Sequence, residues 1–164
     1  LRECGILLVK HGGHAMAAGV TIAPERVDDF RARLNVIARR QLSDEMLRPE
    51  LRLDAEVRLD ELSIDQIDEL GRMNPFGQDN PDIQVCVRSV TLARPIQRMG
   101  KEQQHARLAI TAGRGTTECV WWSCAGREMP SGRFDVAVVP SVNEFNGRRS
   151  VQLKLLDWRP AAAG

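Results

Sequence analysis

The stretch after Pro81 constrains the fold of this 164-residue chain most strongly. Five apolar-rich runs, 83–92, 105–111, 118–123, 134–142 and 150–156, are separated there by segments rich in Gly, Pro and polar residues. Runs of this length, rich in branched apolar residues and bounded by turn formers, read as strands of one β module. Asn146-Gly147 is a turn dipeptide between the last two, because both residues tolerate positive φ. Residues 125–131 have room for a short helix between the third and fourth strands.

Upstream the pattern changes. Pro24 suits the first position of a helix, with Glu25, Asp28 and Asp29 near its positive end and Arg39 and Arg40 near its negative end. Val27, Phe30, Leu34, Ile37 and Ala38 recur every three or four residues and form a stripe expected to cover a sheet that contains Val20 and Ile22. Residues 43–50 are polar, carry Pro49 and read as a loop. Leu51, Leu53, Ala55, Val57 and Leu59 then alternate with charged residues, which predicts a half-buried strand. Ser63 and Gln66 have the spacing of a capping box, opening a short helix with Ile64, Ile67, Leu70 and Met73 facing inward. Asn74-Pro75 ends it, because the residue before proline is pushed out of helical conformation.

The charge is divided between the two parts. The net charge of +1 resolves into 11 basic and 16 acidic side chains through Asp82, and 12 basic and 6 acidic from Ile83 onward. A basic carboxy-terminal module suits a polyanion, although arginines also solvate a small barrel. No apolar run approaches the roughly 18 residues of a membrane span, and no signal-peptide pattern is present. Cys4, Cys86, Cys119 and Cys124 make neither a CxxC pair nor zinc spacing, so they fit reduced thiols in a cytoplasmic protein.

His11-Gly12-Gly13-His14 opens a second candidate site. Two glycines able to take positive φ can aim backbone amides at one point, and His14 adds a donor where an anion would sit, so Gly12, Gly13 and His14 are candidates for holding a phosphate. The alternative is a strand-entry turn with a satisfied histidine and tightly packed alanines. No carboxylate or cysteine beside His11 and His14 completes a metal-ligand set, and no metal site is expected. No nucleophile elbow, Walker loop or cysteine with a histidine base occurs either.

Three motifs carry a family resemblance. GGHAMAAGVTI resembles the GGHxxAAG signature of the DHHA1 domain in RecJ-type single-stranded-DNA exonucleases. Residues 74–81, NPFGQDNP, are similar to that family's NPFGxGNP connector, with Asp79 in place of the second glycine. NEFNGRRSVQLKLLDWRP resembles the closing hairpin of its OB-fold. The resemblance implies an α+β chain: the carboxy-terminal part of an α/β DHHA1 domain over 1–50, with a helix leading into the glycines, a connecting strand and helix over 51–82, and a five-stranded OB-fold barrel over 83–160. It also implies that the chain, which opens on Leu1, is a fragment, and that the DHH metal centre, using Mn or Mg, belongs to an upstream region of the parent enzyme. The fragment is then expected to bind no cofactor and to be inactive alone, with His14 assisting by holding the substrate phosphate.

On this reading the barrel offers a nucleic-acid surface. Trp121 and Trp122 are adjacent on one strand, so alternation sends one inward and one outward, either to stack on a base or to pack on a neighbouring domain. Arg148 and Arg149 flank the Asn146-Gly147 turn, and Arg94, Arg98, Lys101 and Arg107 lie on an adjoining loop and strand, where they could track a single-strand backbone. The function expected is the substrate-holding part of a RecJ-like 5′-to-3′ exonuclease in DNA repair and recombination, with single-stranded DNA as partner. The alternative is a non-catalytic interaction module of a replication or repair complex, contacting other proteins. A small-nucleotide phosphodiesterase fits His14 but leaves the OB-fold unused.

Overall fold

The computed structural model describes residues 1–14, 16–113 and 115–162, and the chain divides into two units, Leu1–Leu51 and Arg52–Gly164. Unit one holds a 3-10 turn, Arg2–Leu7, a hairpin of β1 (Lys10–His14) and β2 (Ala17–Thr21), and helix α1 (Val27–Gln41). The helix that the resemblance implied before the glycines is therefore only the short 3-10 turn, and the glycines lie in a strand. Pro24 opens a 3-10 turn that runs into α1, where its missing N–H is harmless, and acids first and arginines last complement the helix dipole.

The apolar stripe of α1 does not cover the β1–β2 hairpin as expected. The helix packs on the Arg2–Leu7 and Pro24–Arg26 turns, no residue of it is fully buried, and Val20 stays 41% exposed. A 3.6-residue period states which face is apolar but not what covers it. Polar contacts tie the helix down: Arg33 Nε donates to the Glu3 carbonyl at 2.9 Å, and Arg40 pairs with the Glu3 carboxylate at 3.0 Å.

Unit two holds β3 (Ala55–Val57), α2 (Ile64–Gly71), β4 (Val85–Leu92), β5 (Gln97–Met99), β6 (His105–Thr111), β7 (Thr117–Trp121), β8 (Phe134–Phe145) and β9 (Arg148–Pro160). They form a mixed α/β unit around a seven-stranded sheet of order β3-β4-β8-β9-β7-β6-β5, with β4 pairing β6 as well. The additional pairing links β4, β8, β9, β7 and β6 in a cycle, antiparallel throughout except for β7 and β9. A bulge in β4 makes the double pairing geometrically accessible. Register with β8 shifts between Val87 and Val90, Ser89 adopts φ 58°, and the buried Asp135 carboxylate accepts the Ser89 amide at 3.0 Å while Arg159 donates to its other oxygen at 3.1 Å. Such a bulge bends the strand, so that its two ends can face different partners. Inward residues of all five strands make the core, among them Val87, Leu108, Cys119, Trp121, Phe134, Val136 and Leu153.

Several expectations shift. The alternating run 51–59 pairs only over Ala55–Val57, parallel to Val85–Val87, and Leu51 and Leu53 are exposed because no neighbouring strand reaches them. The capping box forms: Ser63 Oγ accepts the Gln66 amide at 3.3 Å, and Gln66 Oε1 accepts the Ser63 amide at 3.2 Å. Ile67 is buried, whereas Met73 lies past the helix and is exposed. Asp79 fits the connector without positive φ, inside a turn closed by Gly77 N–H to Asn80 O at 2.7 Å. The helix expected over 125–131 is absent; Gly126 at φ 73° and Pro130 give turns instead. That segment still covers the core, with Met129 packed on it and the Trp158 indole donating to the Glu128 carbonyl at 3.2 Å. Strand β9 ends at Pro160.

Candidate nucleic-acid interface

Strand alternation sorts the candidate residues. On β7, Cys119 and Trp121 point into the core, so Glu118 and Val120 take the other face, where Val120 is itself buried. Trp121 is 2% exposed and carries the Arg127 guanidinium over its ring at 4.8 Å, so it is a core residue and unavailable to a base. Trp122 follows the end of β7 and is 52% exposed. Its ring meets the edge of His105 at 4.8 Å and 72°, and His105 Nδ1 accepts the Ser123 amide at 2.9 Å. His105, itself fixed by the Ser123 amide, therefore braces an exposed indole.

The basic candidates separate by partner. Arg107, outward on β6, has Nε 3.6 Å from Glu118, and Gln152 of β9 donates to the same carboxylate at 3.0 Å. This polar ladder crosses β6, β7 and β9 and already neutralises Arg107. Arg149 pairs with Asp68 of α2 at 2.6 Å and 2.9 Å, and that hydrogen bond, followed by the charge on Asp68, raises its pKa. It braces the hairpin against α2, contrary to a role as an open phosphate contact. Arg98 on β5 reaches Cys124 Sγ at 3.5 Å. Arg94 and Lys101 flank β5 on exposed loop positions, and Arg148 is exposed beside the turn; these three join no ion pair among the described residues.

Sequence reasoning missed Phe145 and Lys154. Phe145 is 70% exposed at the end of β8, opposite Arg148, and Lys154 is outward and exposed on β9 between buried Leu153 and Leu155. Placement of Phe145 beside a turn dipeptide was the available signal. Alternation alone could have marked Lys154.

In unit one the glycine stretch is a ladder, which replaces the amide nest expected of Gly12 and Gly13. Gly12 pairs with Gly19 and Gly13 with Ala18. A side chain at Gly13 would overlap the Ala17 carbonyl oxygen and stand 2.6 Å from the Ala18 Cα, so glycine is needed there for the strands to approach. His14 is exposed at the hairpin end, and its Nδ1 accepts the Met16 amide at 3.2 Å. Ala15 lies outside the described residues. Among the described residues no three His, Cys, Asp or Glu side chains gather as a metal-ligand set, so these residues do not fit the divalent ion of a nuclease centre.

The family model described as the RecJ OB domain matches residues 53–157, and so includes β3 and α2. The chain is 31% identical over 160 residues to the single-stranded-DNA-specific exonuclease RecJ of Bacillus subtilis, covering 96% of this chain and 20% of that protein. It is 30% identical over 156 residues to the protein of the same name from Dickeya dadantii, covering 90% of this chain and 26% of the relative. Its backbone matches the crystal structure of RecJ in complex with Mg2+ from Thermus thermophilus with a TM-score of 0.77 at 24% identity, over 99% of this chain and 24% of that one. The chain thus spans about a fifth to a quarter of the length of these relatives.

Proposed function

The chain belongs to the RecJ OB domain family, and from that membership we propose that it is the substrate-holding carboxy-terminal part of a RecJ-like 5′-to-3′ single-stranded-DNA exonuclease of DNA repair and recombination. Unit two is then an OB-fold barrel, supported by the pairing cycle of β4, β6, β7, β9 and β8, and unit one the end of a DHHA1 domain. The observation that carries the reading is Trp122: a half-exposed indole, braced by His105, on the outer face of β6 and β7 with Arg94, Arg98 and Lys101 on the adjoining loop and β5. OB-folds bind oligonucleotides on that pair of strands and the loops beside it.

Base stacking accounts for an aromatic left in water, and unpaired cations account for the backbone. Each stacked base contributes about 1–3 kcal/mol with little sequence preference. The divalent metal of the parent enzyme would be held elsewhere, since the described residues of this chain make no ligand set for it, and the chain alone would then not be the hydrolase. His14 would assist there, its exposed ring holding a substrate phosphate. The test is fluorescence anisotropy with a labelled oligonucleotide at several salt concentrations, on the wild-type chain and on Trp122→Ala. Binding at low salt that Trp122→Ala weakens at every salt concentration supports the reading. No binding at low salt moves the assignment to a protein-interaction module.

A further inference from the structure

The closing hairpin outgrows the barrel. β9 pairs with β7 only over Gln152–Lys154, and β8 pairs with β4 only over Phe134–Val138, yet β8 and β9 remain paired to Phe145 and Arg148. The last residues before the turn therefore form a two-stranded ribbon beyond the other strands of the cycle. Asn146 at φ 51° and Gly147 at φ 71° close it in the turn that matches strand twist.

The faces of this ribbon differ. Cross-strand pairs share a face, so Glu144 and Arg149 lie together on one side, where Arg149 is bonded to Asp68. Phe145 with Arg148, Asn143 with Ser150 and Ser141 with Gln152 lie on the other. Gln152 bonds to Glu118, so the second side continues the outer face of β7 that ends at Trp122. One stripe thus has an exposed aromatic at each end, cations at Arg148 and Lys154, and a single carboxylate, Glu118, held by Arg107 and Gln152.

We propose that Phe145 is a second base-stacking platform and Arg148 its phosphate contact, so that single-stranded nucleic acid lies along the stripe from the ribbon tip to Trp122. The inference rests on the functional reading above and extends it to a second site with a defined span. Because β7 and β9 are parallel, with Glu118 opposite Gln152, the Arg148 and Trp122 levels are separated by about eight residue steps, or about 26 Å at ~3.3 Å per residue. That span suits the known range of about 4–16 nucleotides per OB-fold. The Arg149 to Asp68 pair is a positioning contact that holds the ribbon against α2 and so holds the tip in line with the stripe.

The test uses the whole chain and oligothymidylates of about 4 and about 12 nucleotides, chosen from the ends of that range. Phe145→Ala is expected to weaken binding of the longer oligonucleotide at least about fivefold, at every salt concentration, with a much smaller effect on the shorter one. Phe145→Trp should restore binding. The thermal unfolding midpoint should stay unchanged, because the side chain is mostly in solvent. If the wild type binds and Trp122→Ala weakens it while Phe145→Ala binds both oligonucleotides like wild type, the second platform is overturned and the functional reading stands. Equal losses for both lengths overturn the spanning path. Absence of binding by the wild type overturns the functional reading itself, and this inference with it.

Discussion

Gly13 and Cys119 show how single residues act here through space and solvent. At Gly13 a Cβ would meet the Ala17 carbonyl and the Ala18 backbone, neither of which can move without breaking the hairpin. Gly13→Ala should therefore abolish hydrogen-exchange protection of β1 and β2 while leaving unit two as stable as wild type. Cys119 lies in the buried core of unit two, and burial, followed by the charge on Glu118, pushes its thiol up to about 12. Above its ordinary value of 9.0 the unfolded chain loses a proton that the folded one keeps, so ν_U falls below ν_N and stability declines as pH rises. Urea unfolding should show a loss approaching about 1.4 kcal/mol per pH unit between pH 9 and pH 12. Cys119→Ala should remove the larger part of that slope, leaving the share of Cys86, whose thiol burial also raises, even where the new cavity lowers stability at neutral pH.

At the scale of elements, β7 and the closing hairpin separate pairs of identical neighbours. Trp121→Ala empties a core site and should destabilise unit two by about 3–5 kcal/mol, whereas Trp122→Ala should leave the unfolding midpoint almost unchanged. Arg148 and Arg149 differ likewise. Removing Arg148 should lower the slope of log affinity against log salt by about 0.7, one single-strand phosphate contact. Removing Arg149 should change that slope by less than half as much, because Asp68 already compensates its charge, and should lower stability by no more than about 1 kcal/mol, as for an exposed pair. Equal slope changes in the two variants would show that the Asp68 pair opens on binding.

Over the whole molecule, charge and family membership point to a division of labour. Residues from Ile83 onward carry six more basic than acidic side chains and those before it five more acidic than basic, by the counts 12 against 6 and 11 against 16. Residues 83–164 should therefore supply most of the salt-dependent affinity for a polyanion. In a longer protein that carries a nuclease domain, His14→Ala should reduce turnover with unchanged melting, because the histidine is exposed and packs little. The present chain should release no labelled nucleotide from single-stranded DNA with Mn or Mg added; metal-dependent cleavage by the purified chain would falsify that division.

Local chemistry made much of this readable from the residues. The β6 boundaries, the capping box at Ser63, the turn at Asn146-Gly147 and the opposite burial of Trp121 and Trp122 all follow from period, propensity and backbone freedom, which act within a few residues. Pairing partners do not. Strand β3 stops after Val57, although the alternation runs from Leu51 to Leu59, because the neighbouring backbone is available only beside Val85–Val87. Arg149 and Arg107 look alike as sequence neighbours of a binding surface, and only the fold brings Asp68, 81 positions away, to one and Glu118 to the other. Sequence by itself determined where β6 begins and ends, that Trp121 and Trp122 face opposite ways and which family the motifs resemble. Tertiary structure decided that Asp68 holds Arg149 and Glu118 faces Arg107, and that Gly12 and Gly13 form a ladder, because each depends on which other segment lies alongside.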